Sequence, residues 1–123
     1  MDISETTLKG ADLTGIKLER AKANNANWED VDLSFKNLSK IRLIDTSLNR
    51  SILAGAELSN AKLMGANLSD ADLTGAKLID ANLSNATLTG ANFHMADLTG
   101  ANLEGVIISE TNLSCIGHEI CTS

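Results

Sequence analysis

The residues best suited to metal or redox chemistry lie near the C-terminus, where Cys115, His118 and Cys121 have the spacing C-x2-H-x2-C. Thiolates and an imidazole are good zinc ligands, and His94 could supply a fourth. The sequence lacks the second ligand pair of most structural zinc sites, so we expect no metal site. The two cysteines are then either free thiols, as in a reducing cytosol, or joined in a disulfide. A Cys115–Cys121 bridge requires the chain to fold back, because its Cα atoms must approach within about 7 Å.

No group of residues is spaced for catalysis. In the stacking scheme described below, His94 lies on an outward face beside Thr74 and Ser114, but no carboxylate completes a hydrolytic set. The sequence therefore predicts a protein that is not an enzyme, with no cofactor and no small-molecule substrate.

Composition sets the broad class of the protein. The 123 residues fit one domain, and 43% of them are apolar, so a buried core is expected although aromatic residues make up only 2%. The formal net charge of −6 argues against direct binding to nucleic acid or anionic membranes. No signal peptide and no apolar run of the roughly 18 residues of a membrane span are recognisable. These features predict a cytoplasmic protein.

A five-residue step in the apolar residues determines how the chain must fold. Leu68, Leu73, Leu78 and Leu83 follow one another at this interval, and the same register runs from Ile3 to Leu113. Five residues advance about 500° around a helix, so the leucines would spread over its whole surface. In a continuous strand an odd step would place successive leucines on opposite faces. The chain must therefore change direction once in every unit.

A second series of small residues and a set of turn residues complete the repeat. Alanine precedes each central leucine by two residues from Ala56 to Ala101, so both side chains face a common interior, whereas the intervening Asp and Asn residues decorate solvated faces. Gly75 is third in the turn Leu73–Ala76, where a type II turn requires positive φ. Asn25, Asn60 and Asn85 can take the same role. Type I turns are predicted where other residues occupy this position: Arg20, Asp30, Phe35, Lys40, Asp45 and Arg50.

Units such as Ala71–Gly75 (ADLTG), Ala81–Asn85 (ANLSN) and Ala96–Gly100 (ADLTG) resemble the pentapeptide-repeat family. The match extends from about Thr6 to Leu113. This resemblance implies an all-β fold, a right-handed quadrilateral β-helix with one pentapeptide per face and about 20 residues per coil. We accordingly assign residues 1–114 to the β-helix and residues 115–123 to a C-terminal cap or tail.

Stacking at twenty-residue intervals predicts two irregular sites in the interior. Ala23 and Trp28, the smallest and largest central residues, fall in one coil and would compensate each other in volume. Lys36 falls at a small inward position, where an unpartnered amine is costly, so we expect a local bulge or a turned corner, with the amine reaching solvent.

The function predicted from these features is a non-enzymatic structural or protein-interaction module, a rigid rod with an unidentified protein partner. Lys22, Arg42 and Lys62 stack on one face and form a candidate interaction strip, with Ile44 and Met64 exposed beside it. The open ends of the stack suit either a monomer or an end-to-end dimer. The alternative is a DNA-mimicking modulator of DNA gyrase, since some similar family members protect gyrase from quinolones. This chain is shorter, however, and mixes lysine and arginine among its acidic residues.

Overall fold

The computed structural model describes residues 1–122, which form a β-helix of five-residue units. The second residue of most units makes a parallel bridge with the residue twenty positions further on, as in Arg42–Lys62 and Asp72–Asn92. Bridged pairs begin at Asp2–Lys22 and end at Asp97–Ile116, the last with a step of nineteen. Within residues 1–122 the pairing consists of single bridges, and neither a longer strand nor a helix is formed. In that part of the chain there is accordingly no helix that could cross a membrane.

Backbone hydrogen bonds in each unit connect it to the coils above and below. In Ala71–Gly75 the first N–H closes the preceding turn, the second donates to the previous coil, and the third and fifth donate to the next coil, all at 2.8–3.0 Å. Only the fourth N–H, that of Thr74, has no backbone acceptor, and it donates to Oδ1 of Asp72 at 3.0 Å. All five N–H groups of this unit are therefore satisfied, as buried and turn backbone requires.

The outward Asp and Asn residues complete these turns as well as facing solvent. Oδ1 of Asp32 accepts both the N–H of Ser34 at 3.0 Å and its hydroxyl at 2.7 Å. Asn67 accepts the same pair of bonds from Ser69. The recurring D/N-L-S/T triplet is thus a local turn cap in which the side chain substitutes for a missing backbone acceptor.

Paired inward positions fill the interior with leucine and alanine. Leu33, Leu53, Leu73 and Phe93 stack in one column with no exposed surface. Each buried leucine contributes about 2 kcal/mol relative to an exposed one, so many copies can stabilise the rod without large aromatic residues. Ala23 and Trp28 are both fully buried in the same coil. The indole Nε1 of this tryptophan has no hydrogen-bond partner, which costs about 1–3 kcal/mol.

The prediction of type I turns at non-glycine corners was wrong. All six of the corners concerned have φ between 55° and 62°: Arg20, Asp30, Phe35, Lys40, Asp45 and Arg50. A left-handed conformation costs roughly 1–2 kcal/mol for such residues. The corner N–H must nevertheless point along the stack, as in the bond from Phe35 to the Ala54 carbonyl at 2.9 Å. Stacking against the next coil therefore overrides the local preference of the residue.

Lys36 opens the stack between the first and second coils. Its amine donates to the carbonyl of Leu13 at 3.0 Å, so the stack is disturbed here as predicted, but the amine ends on the backbone and not in solvent. Thr46 and Thr111, at equivalent inward positions, also donate to carbonyls 23 residues earlier. The lysine makes the same type of bond with a longer side chain. Bridges between positions 12 and 32 and between 17 and 37 are missing on either side of it.

Replacing Lys36 with alanine should close this opening and stabilise the protein. Lys36→Ala restores the small inward residue found at Ala56 and allows the missing backbone bonds to form, each worth about 1 kcal/mol. Urea unfolding should show a midpoint above that of the wild type. Lys17→Ala, which removes a neighbouring exposed charge, is the control and should leave the midpoint nearly unchanged. An equal or lower midpoint for Lys36→Ala would show that the amine stabilises the bulge.

Capped turns should make the protein sensitive to acid. Hydrogen bonds from the hydroxyl and N–H two residues ahead lower the pKa of Asp12, Asp32 and Asp97 below 3.8. A carboxylate with a lowered pKa stabilises the fold above its unfolded value, and this contribution is lost as the pH falls through the folded pKa. The urea midpoint should thus decrease between about pH 5 and pH 2.5.

A matched variant separates this effect from general acid unfolding. Asp12→Asn/Asp32→Asn/Asp97→Asn retains the acceptor oxygens, as Asn67 does naturally, but removes the titrating groups. Its midpoint should change less over the same pH interval than that of the wild type. Identical pH profiles would rule out the capped carboxylates as the source.

Candidate interaction surface

The twenty-residue register builds a basic column on one face. Lys22, Arg42 and Lys62 are joined by consecutive parallel bridges, so the backbones that carry neighbouring side chains are separated by about 4.8 Å. Arg20 and Lys40 stack in the same way on the adjoining corner, where both have positive φ. Together these residues form the basic surface, which contains five of the ten cationic side chains of an otherwise acidic chain.

Within residues 1–122, none of the five cationic groups forms an ion pair. The other side of the same rod behaves differently: Arg50 donates to Asp30 at 2.9 Å and lies 3.6 Å from Glu29, and Lys9 lies 3.6 Å from Asp30. The hydrogen bond from Arg50 lowers the pKa of Asp30. Lys9 and Arg50 are therefore paired, whereas the five cations of the basic surface, like Lys17, Lys36 and Lys77, have no ion pair within residues 1–122.

A shallow groove of about 540 Å³ runs along this surface. Lys40, Arg42 and Lys62 line it, and Asp80 is the one carboxylate among its lining residues. The guanidinium of Arg42 is half-buried, and its buried Nε atom has no hydrogen-bond partner in the described part of the chain. An unmade bond to a buried charged donor is unfavourable in the free protein, and a ligand can form it only when the Arg42 side chain turns outward.

The basic column also removes the usual turn caps from three successive coils. Lys22, Arg42 and Lys62 occupy the position at which Asp or Asn normally accepts the N–H two residues ahead. The N–H of Asn24 instead donates to Ser4 Oγ at 3.1 Å, and that of Ile44 to Asn24 Oδ1 at 3.0 Å. Lys17 and Lys77 break the same local rule, but their column also contains Asn37, Glu57 and Asp97. Three consecutive cations occur only on the basic surface.

Two sequence expectations about this face need adjustment. Ile44 and Met64 adjoin the basic column as expected, but both are half-buried and not exposed. Arg20 and Lys40 also belong to this face, although their positions in the repeat predict only turn residues. Their twenty-residue spacing was the available signal.

At the C-terminal end, Cys115 and Cys121 are joined by a disulfide with a Cα separation of 5.1 Å. Both sulfurs are therefore unavailable as thiolate ligands in this structure. His118 Nδ1 accepts the N–H of Ile120 at 3.0 Å, and His94 Nδ1 lies 2.9 Å from Ser114 Oγ. No cluster of histidine, cysteine and acidic residues suited to a metal ion occurs within residues 1–122.

Comparison with known proteins gives consistent matches along the rod. A family model described as pentapeptide repeats matches eight copies over residues 11–35, 32–70 and 66–105. The crystal structure of alr5209, a pentapeptide repeat protein from Nostoc PCC 7120, is similar at 31% identity and a TM-score of 0.71, covering 83% of this chain and 95% of that one. No curated protein sequence matches the chain.

Two further solved structures are similar to this chain to different degrees. HetL, a pentapeptide repeat protein involved in heterocyst differentiation regulation in the cyanobacterium Nostoc sp. strain PCC 7120, is similar at 29% identity and a TM-score of 0.56. That match covers 95% of this chain and 61% of HetL, so the chain spans about three fifths of HetL's length. Trypsin-treated QnrB1, a plasmid-mediated fluoroquinolone resistance protein, matches at 16% identity and a TM-score of 0.44, covering 90% of this chain and 69% of that one. Similarity at this level supports no conclusion about the function of this chain.

The disulfide between Cys115 and Cys121 can be tested directly by alkylation and hydrogen exchange. Alkylation of the unfolded protein without reductant should label neither Cys115 nor Cys121 after purification in an oxidising buffer. Cys115→Ser/Cys121→Ser should speed hydrogen exchange in residues 113–122 and leave residues 41–95 unchanged, because closing so short a loop is worth about 2 kcal/mol. Labelling of both cysteines in the oxidised wild type would contradict the bridge.

Alkylation in intact cells tests the location, since a cytoplasmic protein should have labelled thiols.

Proposed function

The chain belongs to the pentapeptide-repeat family, and from that premise we propose that it is a non-enzymatic structural module that binds another protein on its outer surface. The observation that carries this proposal is the basic surface, where five cationic side chains have no ion-pair partner within residues 1–122. A leucine- and alanine-filled interior supports it further, since such a core has no room for a substrate. The partner is a protein that contacts Lys22, Arg42 and Lys62.

A rigid scaffold suits this role. Backbone bonds between successive coils hold the cationic side chains at a fixed interval, so little ordering of the main chain accompanies binding. We propose in addition that the coil is right-handed and four-sided, with four five-residue units in each turn of twenty residues. Residues 1–114 then form the rod and residues 115–122 its cap; Ser123, the last residue of the predicted cap, lies outside the described residues. The protein is a cytoplasmic monomer or end-to-end dimer.

The alternative function, modulation of gyrase, requires a different distribution of surface charge. A DNA mimic needs acidic side chains along the face that contacts the DNA-binding protein. The basic surface interrupts that charge over three coils. A supercoiling assay separates the two functions: a gyrase modulator changes the activity of gyrase when added in excess, and an interaction module with another partner does not.

Affinity capture from the native cell tests the docking proposal. Lys22→Glu/Lys62→Glu should lose the protein captured by the wild type, because two attractive contacts become repulsive. Lys17→Glu/Lys77→Glu is the matched control: it changes the net charge equally at two exposed lysines on another face and should capture the same protein. Circular dichroism and thermal unfolding verify that both variants fold. Equal capture by the two variants would exclude the basic surface as the docking site.

A further inference from the structure

We propose that the basic surface binds a short, extended acidic segment of its partner protein, with carboxylates on alternate residues. This inference rests on the proposed docking function and identifies the chemistry of the partner. It follows from the spacing of the cations, the acidic residues at their borders, and the unmade hydrogen bond of Arg42.

The spacing of the cations fits an extended peptide. Lys22, Arg42 and Lys62 lie on three successive coils and span about 10 Å between the outer two. Alternate side chains of an extended segment lie on one side at intervals of about 6.6 Å. Two or three carboxylates therefore cover the column, and the flexible side chains of lysine and arginine accommodate the small difference in spacing. Arg20 and Lys40 provide a second row of positive charge at the adjoining corner.

Acidic residues at both borders limit the length of the ligand. Asp2 is bridged to Lys22 at one end of the column, and Asp80 lines the groove next to Asn60 and Asn82 at the other. A long polyanion would extend over these carboxylates and over a chain with a net charge of −6. Nucleic acid, which carries about one charge per 1.7 Å of duplex, is therefore disfavoured relative to a segment with only two or three carboxylates.

Arg42 lies in the centre of the basic surface and favours a carboxylate over a simple point charge. Its Nε atom has no hydrogen-bond partner, and neither does any other side-chain nitrogen of the basic surface within residues 1–122. Once the Arg42 side chain turns outward and exposes Nε, a carboxylate that approaches the guanidinium side-on accepts two parallel bonds, one of them from Nε. Lysine at this position would keep the charge but could not form that pair.

Apolar surface adjoins the column on the same face. Ile44 and Met64 are half-buried on neighbouring coils, one position beyond the inward leucines that follow Arg42 and Lys62. The methylene groups of the bound acidic side chains can contact these residues, which adds apolar contact to the ionic recognition.

The test uses three labelled probes and fluorescence anisotropy at low ionic strength. A five-residue peptide with blocked termini, Glu-Ser-Glu-Ser-Glu, represents the acidic segment, the same peptide with Gln for Glu is its neutral counterpart, and a sixteen-base-pair DNA duplex represents nucleic acid. The wild type should bind the acidic peptide, bind the neutral one at least about tenfold more weakly, and lose affinity as salt increases. Lys22→Glu/Lys62→Glu should weaken binding of the acidic peptide by about tenfold or more, whereas Lys17→Glu/Lys77→Glu should stay within about twofold of the wild type.

Arg42→Lys tests the carboxylate geometry separately from charge. It should weaken binding of the acidic peptide several-fold while leaving the salt dependence similar, because the charge is retained and only the paired hydrogen bonds are lost. Arg50→Lys, at an arginine already bonded to Asp30, is the matched control and should leave binding unchanged.

Three results would overturn the proposal. Equal binding of the acidic peptide by the wild type and the Lys22/Lys62 variant would show that the surface is not the site. Tighter binding of the duplex than of the peptide would identify nucleic acid as the occupant. Side-by-side dimers in sedimentation that dissociate on substitution of Lys22 and Lys62 would identify a second copy of the chain as the occupant.

These results are distinguishable from failure of the proposed function. A partner captured equally by all charge variants leaves the interaction module intact but removes the basic surface as its docking site, and with it the acidic-segment inference. Conversely, a protein that captures no partner but binds the acidic peptide through Lys22 and Lys62 contradicts the module while preserving the chemistry of the surface.

Discussion

The twenty-residue hydrogen-bond register between coils is the constraint on which the rest of this structure depends. Each five-residue unit donates backbone bonds to both neighbouring coils, and a corner with positive φ is needed once per unit to keep those bonds aligned. Arg20, Phe35 and Lys40 adopt this conformation against their own preference. The register is strong enough to impose it because the N–H of each of these three corners has an acceptor on the next coil, and leaving that N–H unpaired would also carry a cost.

The same register determines which residues are neighbours on the surface of the rod. Residues twenty apart become neighbours, so a weak regularity along the chain becomes a row of like charges on one face. Such a row is unfavourable in itself, since its members repel one another and displace the Asp or Asn that normally caps the turn. Sites at which a sequence departs from its own local rules are the expected positions of function, and the basic surface is the most extended departure in this protein.

Two further departures lie near the ends of the rod. Lys36 separates the first coil from the second over half a turn, because its amine bonds to the Leu13 carbonyl and the adjacent bridges do not form. At the other end the leucine register stops at Leu113, and the disulfide between Cys115 and Cys121 closes the chain back on itself. Regular stacking thus gives way near both ends, whereas the middle coils keep an unbroken column of bridges from Arg42 to Asn102.

The sequence by itself determined the repeat, the family, the inward leucine and alanine columns and the cationic column at Lys22, Arg42 and Lys62, because a period of five residues is compatible with few folds. It also indicated that Lys36 would disturb the stack. Only the tertiary structure decided the sign of φ at the non-glycine corners, the acceptor of the Lys36 amine, and the inclusion of Arg20 and Lys40 in the basic surface. These features depend on contacts with the adjoining coil, about twenty residues away along the chain. The local preferences of a residue do not indicate which contacts that coil will make.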